Sequence, residues 1–185
     1  IDTSALIPQG LAAGQRAPLF QARTQQGDSI RLRQLLKQKP VVLMFYRGQW
    51  CPVCNQYLQR LEDSVKLIRQ AGARVLAVTP ETAPNAAKMR RKSGSSVTII
   101  PDTAETIIGS YNVGFEVNSA YARKIEQGLN VSIAENNGAR QARLPIPATY
   151  IIDQEGRIAW QFFNPDYRKR ASVKAILANL PDASS

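Results

Sequence analysis

"VVLMFYRGQWCPVCNQYLQRLE", Val41 to Glu62, places both cysteines of the chain on one turn, where an unbroken apolar run gives way to a helical pattern. The run Val41–Tyr46 has strand length and no alternation, as expected of a strand covered on both faces. It ends at Gly48. Beyond Cys51, Tyr57, Leu61, Val65 and Ile68 fall at i, i+4, i+8 and i+11, with Gln59, Arg60, Asp63, Lys66 and Arg69 between them. That spacing predicts an amphipathic helix closed by Gly72. A buried strand feeding a helix through a turn that holds two thiols is the unit on which the fold is read.

Outward from this unit, strands and helices alternate. "APLFQART" reads as a short strand, followed by a turn at Gly27–Asp28 and a brief helix from near Arg33. "ARVLAVTPE" is a second buried strand, "APNAAKMRRKSG" a basic helix, "SVTIIPD" a third strand and "AETIIGSYNV" a short helix that Asp102 is placed to cap. Residues 113–143 break the rhythm and are expected to be an insertion, with a helix around "SAYARKIEQ" and a turn at "ENNG". "IPATYIID" and "RIAWQFF" predict a hairpin across Glu155–Gly156, with Trp160, Phe162 and Phe163 packing the sheet, and "RASVKAILANL" a last helix. "NPDYRKR", Asn164–Arg170, reads as a turn and the start of a helix. The opening residues 1–16 show no sustained period and are expected to be an extended lead-in. The alternation argues for one α/β domain with a parallel or mixed sheet.

Composition bounds the chemistry. With 185 residues, 44% apolar, the chain can bury a core without staples, and no window approaches the apolar length of a membrane span. A formal charge of +10 favours anionic partners. The densest basic run, "KMRRK" at Lys88–Lys92, has no helix-turn-helix, stacking platform or zinc knuckle beside it, so it reads as a solvated helix face and not as a nucleic-acid site. The absence of histidine removes Ser-His and Cys-His nucleophile pairs and imidazole bases. Two cysteines three apart are not a disulfide framework. The compartment stays open, with an exported, periplasmic location expected ahead of a cytoplasmic one because the chain begins at Ile1 rather than Met.

The pair Cys51-Pro52-Val53-Cys54 has the arrangement of a redox couple. Pro52 suits the first helical turn, so Cys51 stands where free backbone N–H groups and the helix dipole favour an anion. A thiol in such a place has a pKa lowered from about 8.5 to between about 3.5 and 7.5. Cys54, on the same helix face, is within disulfide reach and can resolve a mixed disulfide formed at Cys51. Trp50 would shield one side of the first sulfur. A static disulfide or two buried small hydrophobes are the bland alternatives, and two thiols without histidine are poor metal ligands.

The order strand, "WCPVC", helix and later "IPATYIID" resembles the thioredoxin fold. "FYRGQWCPVCNQYLQRLE", "LAVTPE" and "LPIPATYIIDQEGRIAWQFFNPDYRKR" resemble the peroxiredoxin-like branch of the alkyl hydroperoxide reductase and thiol-specific antioxidant (AhpC/TSA) family, from about Ala17 to about Leu180. The resemblance implies a thioredoxin-like domain over 17–185, a cis Ile146–Pro147 bond facing the cysteines, no metal or organic cofactor, and a thioredoxin-like or other dithiol partner. It also implies that "NPDYRKR" lies near the end of the last strand, toward the active-site face.

Two departures from the family pattern matter. Cys51 stands where peroxiredoxins carry threonine, Cys54 at the peroxidatic place, and Pro147 where their later arginine would be, which leaves Arg47 as a substitute cation. Phe45 replaces the buried aspartate of thioredoxins. The expected function is thiol-disulfide exchange with Cys51 as nucleophile, Cys54 as resolving thiol, and Pro147 and Trp50 shaping the docking surface. The alternative enzyme is a peroxidase in which Cys54 attacks hydroperoxide and Cys51 condenses with the sulfenic acid. The non-enzyme alternative is a binding module with an inert disulfide.

Overall fold

The computed structural model describes residues 7–181. An antiparallel pair, β1 (Gln21–Arg23) and β2 (Ser29–Arg31), precedes the short helix α1 (Leu32–Leu36). Then come β3 (Val41–Phe45), α2 (Pro52–Gln70), β4 (Arg74–Thr79), α3 (Ala83–Ser93), β5 (Thr98–Pro101) and α4 (Thr106–Ser110). The stretch that breaks the sequence rhythm holds β6 (Gly114–Glu116), α5 (Ser119–Leu129), α6 (Ile133–Asn137) and β7 (Arg143–Pro145), with β6 and β7 paired antiparallel. β8 (Ala148–Ile152), β9 (Ile158–Phe163) and α7 (Val173–Ala178) complete the chain. The central sheet runs β5-β4-β3-β8-β9, with β3, β4 and β5 parallel and β8 and β9 antiparallel to their neighbours. This is a thioredoxin-like mixed α/β fold.

The continuous apolar run of β3 follows from its central position. Val42 and Met44 point to one face, where Leu58, Leu61, Val65 and Ile68 of α2 and Met89 of α3 cover them. Val41, Leu43 and Phe45 point to the other, toward Leu32, Leu36, Ile107 and Ile108. Each fully buried leucine here contributes about 2 kcal/mol of transfer free energy. On the second face Phe45, Tyr111 and Tyr150 form an aromatic triad with centroids 5.3–6.0 Å apart, one pair edge-to-face.

Local chemistry sets the remaining boundaries. The Asp102 carboxylate accepts from the amides of Thr106, Ile107 and Ile108, so it caps α4 from outside the helix. α3 ends on Gly94 in the left-handed region, where a β-carbon would be strained. "ENNG" is the end of a helix rather than a free turn: Ser132 caps α6 and Gly138 closes it. The lead-in expected over 1–16 lies partly outside the described residues. Within them Arg16 bridges to Arg157 beside the β8–β9 hairpin.

One expectation is corrected. The Ile146–Pro147 peptide is trans, as is every peptide among the described residues. The chain runs directly from β7 into β8, with the Ile146 amide donating to the Val113 carbonyl at 2.8 Å, and trans is the intrinsically favoured X-Pro isomer. Pro147 is buried, and because Ala148 pairs with Phe45 it lies beside the C-terminal end of β3, where the cysteine loop begins. No helix among the described residues is long and apolar enough to cross a membrane.

Candidate active site

Both cysteines sit where β3 gives way to α2. Cys51 is the N-cap residue with extended backbone, Pro52 occupies the first turn, and Cys54 lies one turn into the helix. Their sulfurs are 2.9 Å apart as free thiols and share a hydrogen bond. Only 2% of Cys51 and 1% of Cys54 is exposed, so the site is closed to bulk solvent.

Two guanidinium groups face this pair. Arg170, in the turn between β9 and α7, places Nη2 3.6 Å from the Cys54 sulfur. Its Nη1 donates to the Tyr167 carbonyl and to the Lys169 carbonyl at 3.1 Å, and its guanidinium carbon lies 5.7 Å from the Tyr57 ring centroid. Arg47 is 3% exposed and has no carboxylate partner among the described residues. Its guanidinium carbon lies 4.4 Å from the Tyr167 ring centroid, 5.1 Å from Trp50 and 5.4 Å from Tyr121, and Nη2 donates to the Tyr121 hydroxyl at 2.6 Å. A buried cation without a counter-ion is costly, and aromatic faces offset only part of that cost. The missing negative charge is therefore expected on the dithiol.

The surroundings place it on Cys54. Burial alone would push that thiol up. The hydrogen bond from Cys51, the Arg170 charge, and the backbone amide and charge of Arg47 outweigh burial and pull it down to about 6. Cys51 moves the other way, pushed up first by its hydrogen bond to Cys54, then by burial and the adjacent negative charge, with Arg47 opposing. The balance differs from the expectation that the helix start holds Cys51 as the anion: the N-cap sulfur makes no capping hydrogen bond, and Arg170 stands against the sulfur one turn on. Ultraviolet thiolate titration of the reduced protein should show one step near pH 6, complete at neutrality, with the second thiol still protonated there. Two thiols titrating together near about 8.5 would contradict the assignment.

Of the residues singled out in the sequence, the structure brings Cys51, Cys54, Trp50 and Arg47 into one cluster and sets Pro147 at the neighbouring strand end. It adds Tyr121 from α5, Tyr167 and Arg170 from the Asn164–Arg170 turn, and Glu81 just beyond β4, which accepts from the Gln49 amide at 2.8 Å. The sequence signals for these were a basic turn and the stretch "LAVTPE", neither of which names a partner. Among the described residues no group of three or more His, Cys, Asp or Glu side chains is placed to hold a metal ion.

The chain is similar to several known proteins. A peroxiredoxin Q of chloroplasts from Oryza sativa subsp. japonica is 26% identical over 154 residues, covering 83% of this chain and 60% of that protein. A thiol-disulfide oxidoreductase, ResA, of Halalkalibacterium halodurans is 28% identical over 149 residues, 79% of this chain and 65% of its own length. The chain thus spans less than two thirds of these curated relatives. Among solved structures, the peroxidoxin BcpB of Mycobacterium tuberculosis superposes with a TM-score of 0.68 at 19% identity, covering 90% of this chain and 94% of that one. The family model described as AhpC/TSA matches residues 13–161, and the chain belongs to the AhpC/TSA family.

Proposed function

We propose that the protein is a thiol-dependent hydroperoxide peroxidase, with Cys54 as the attacking sulfur and Cys51 as the resolving one. The observation that carries this reading is the placement of Arg170 Nη2 3.6 Å from the Cys54 sulfur, with the Cys51 sulfur 2.9 Å away as a second thiol. The Cys54 thiolate attacks the distal oxygen of a hydroperoxide and the O–O bond breaks. The electron pair leaves on the alkoxide, which takes a proton to become the alcohol, and Cys54 becomes a sulfenic acid. The Cys51 sulfur then attacks the sulfenic sulfur. Its proton and the sulfenic hydroxyl leave as water, and a Cys51–Cys54 disulfide remains. A dithiol protein of the thioredoxin-like class returns the pair to the reduced state by two exchange steps.

Burial favours this order over exchange as the first event. A hydroperoxide is small enough to reach a sulfur that is almost fully covered in the reduced protein, whereas a protein partner must wait for the loop to open once the disulfide has formed. The peroxiredoxin names among the relatives support the same reading. The reading also accounts for Cys51 in the place of threonine: a resolving thiol one helical turn away spares the site the rearrangement that a distant one would need. One equivalent of hydroperoxide mixed with the reduced protein should be consumed in a single phase, and peptide mapping should then find a Cys51–Cys54 disulfide. Unconsumed peroxide, with both thiols still free, would overturn the proposal.

A further inference from the structure

Glu81 is fully buried, with 0% exposed. Its Oε1 accepts from the Gln49 amide at 2.8 Å and from Asn136 Nδ2 at 2.9 Å, while Oε2 accepts from the Thr79 hydroxyl at 3.4 Å. Gln49 belongs to the loop that carries Arg47, Trp50 and Cys51. Asn136 belongs to α6, and its carbonyl accepts from Asn85 Nδ2 of α3 at 2.8 Å. One carboxylate therefore ties the end of β4, the helix α6 and the cysteine loop together. The loop passes so close that a β-carbon on Gly48 would lie 3.0 Å from Glu81 Oε1 and 2.5 Å from Trp50 Nε1. No cation pairs with Glu81 among the described residues. A negative charge this deep is costly, and the three hydrogen bonds offset only part of that cost.

We propose that Glu81, clamped between Asn136 and the Gln49 amide, is a positioning residue of the dithiol: it fixes the loop that carries Arg47 and Cys51, and so sets Arg47 against the thiol pair. The inference rests on Cys54 being the anionic sulfur and is independent of whether peroxide is the oxidant. Burial pushes Glu81 up to about 7 against the hydrogen bonds of Asn136, Gln49 and Thr79, and the Cys54 charge pushes it the same way.

Tyr46, just beyond β3, is raised well above its ordinary range first by burial and then by Glu81, and the neutral Thr79 and Asn136 face the carboxylate from β4 and α6. Two cations flank Gln49: Arg47, two residues before it on the loop, and Lys92 of α3, which donates to the Gln49 side chain at 2.6 Å on the solvent side.

Two substitutions separate clamp from charge. In E81Q the carboxamide oxygen keeps both Oε1 contacts and the NH2 group faces the Thr79 hydroxyl, so the loop stays held while the charge is lost. In E81A both are lost. Thiolate titration of the reduced chain should find Cys54 titrating as in the parent in E81Q, where Glu81 is in any case mostly neutral at the step, and at higher pH in E81A, where the loop that carries Arg47 is released. In E81A, alkylation of Cys54 should accelerate about tenfold as the loop loosens, with E81Q protected like the parent. A third readout is thermal stability. The parent's Glu81 is raised on folding from 4.5 to about 7, so its favourable contribution is present below about 4.5 and lost as pH rises through 7. The Tm difference should therefore shift in favour of E81Q between pH 5 and 8. A parent-like titration or parent-like alkylation in E81A overturns the proposal. Should E81A not fold, N136A removes one of the Oε1 donors and should give an intermediate rise in alkylation; no rise would count against the clamp.

Discussion

Replacing Cys54 by serine should abolish peroxide consumption, while Cys51→Ser should keep the first turnover and lose every later one. At neutral pH a serine hydroxyl is neutral and a far weaker nucleophile than a thiolate, so the Cys54→Ser rate should fall by at least about 10³-fold, to the solution background. The Cys51→Ser protein still has an O–H donor facing Cys54 and both arginines in place. Its single-turnover rate should stay within about tenfold of the parent, the cost of one altered hydrogen bond. The product differs: a Cys54 sulfenic acid with no neighbouring thiol persists, reacts with a sulfenic-acid probe, and goes on to the sulfinic acid with excess peroxide. Stopped-flow peroxide loss and intact-mass analysis read both parts. Parent-like consumption by Cys54→Ser would move the attack to Cys51. A stable mixed disulfide with a protein partner, formed by Cys54→Ser alone and with no peroxide loss in any variant, would restore exchange as the primary chemistry.

How far the site was legible in sequence depends on how local each relation is. β3 and α2 could be read because their signals are written in neighbouring residues: an apolar run with no alternation, then apolar positions at helical spacing. The i to i+3 placement of the two thiols on one face follows from helix geometry alone. Which thiol carries charge does not. The local argument uses the helix start and chooses Cys51. Beside the Cys51 hydrogen bond, the balance takes in Arg170, 116 residues downstream of Cys54, brought there by the path of β9 and the turn after it. A basic turn in sequence has no direction, and nothing in "NPDYRKR" says that Arg170 rather than Arg168 faces inward; Arg168 in fact pairs with Asp166 at 2.9 Å. Arg47 was visible as a nearby cation, but its aromatic surroundings come from three separate parts of the chain. Glu81 was invisible for a related reason: a glutamate after a strand is ordinarily solvated, and only the packing of α6 buries it. Proline 147 shows the converse error, where a family expectation for the peptide bond overrode the intrinsic trans preference that the structure retains.

Replacing either arginine by methionine should slow the first turnover, yet affect stability in opposite ways if Arg47 is the uncompensated buried charge that its surroundings indicate. Arg170 is only partly buried and hydrogen-bonds two backbone carbonyls as well as the Cys54 sulfur, so Arg170→Met removes a charge-assisted contact and loosens the turn. A modest loss in Tm should follow. Arg47 makes one hydrogen bond, to Tyr121, and otherwise lies among aromatic rings. Methionine keeps most of its packing volume and removes the desolvated charge, a change that is often neutral or stabilising for buried ionic groups. The Tm of Arg47→Met should hold or rise, most of all below pH 6, where the Cys54 thiolate that balances the cation is protonated.

Reactivity should fall in both variants. With Cys54 at about 6, about 90% of it is thiolate at pH 7. A return toward an ordinary thiol near about 8.5 leaves about 3%, a loss of about 30-fold before any loss of charge stabilisation in the transition state. Raising the pH to about 9 should recover the ionisation part and leave the rest, so a rate–pH profile separates the two contributions. If Arg170→Met and Arg47→Met each keep the step near pH 6, the cations do not set the thiolate. The low value would then have to come from the Cys51 hydrogen bond and the Arg47 backbone amide, and Cys51→Ser becomes the variant in which it moves.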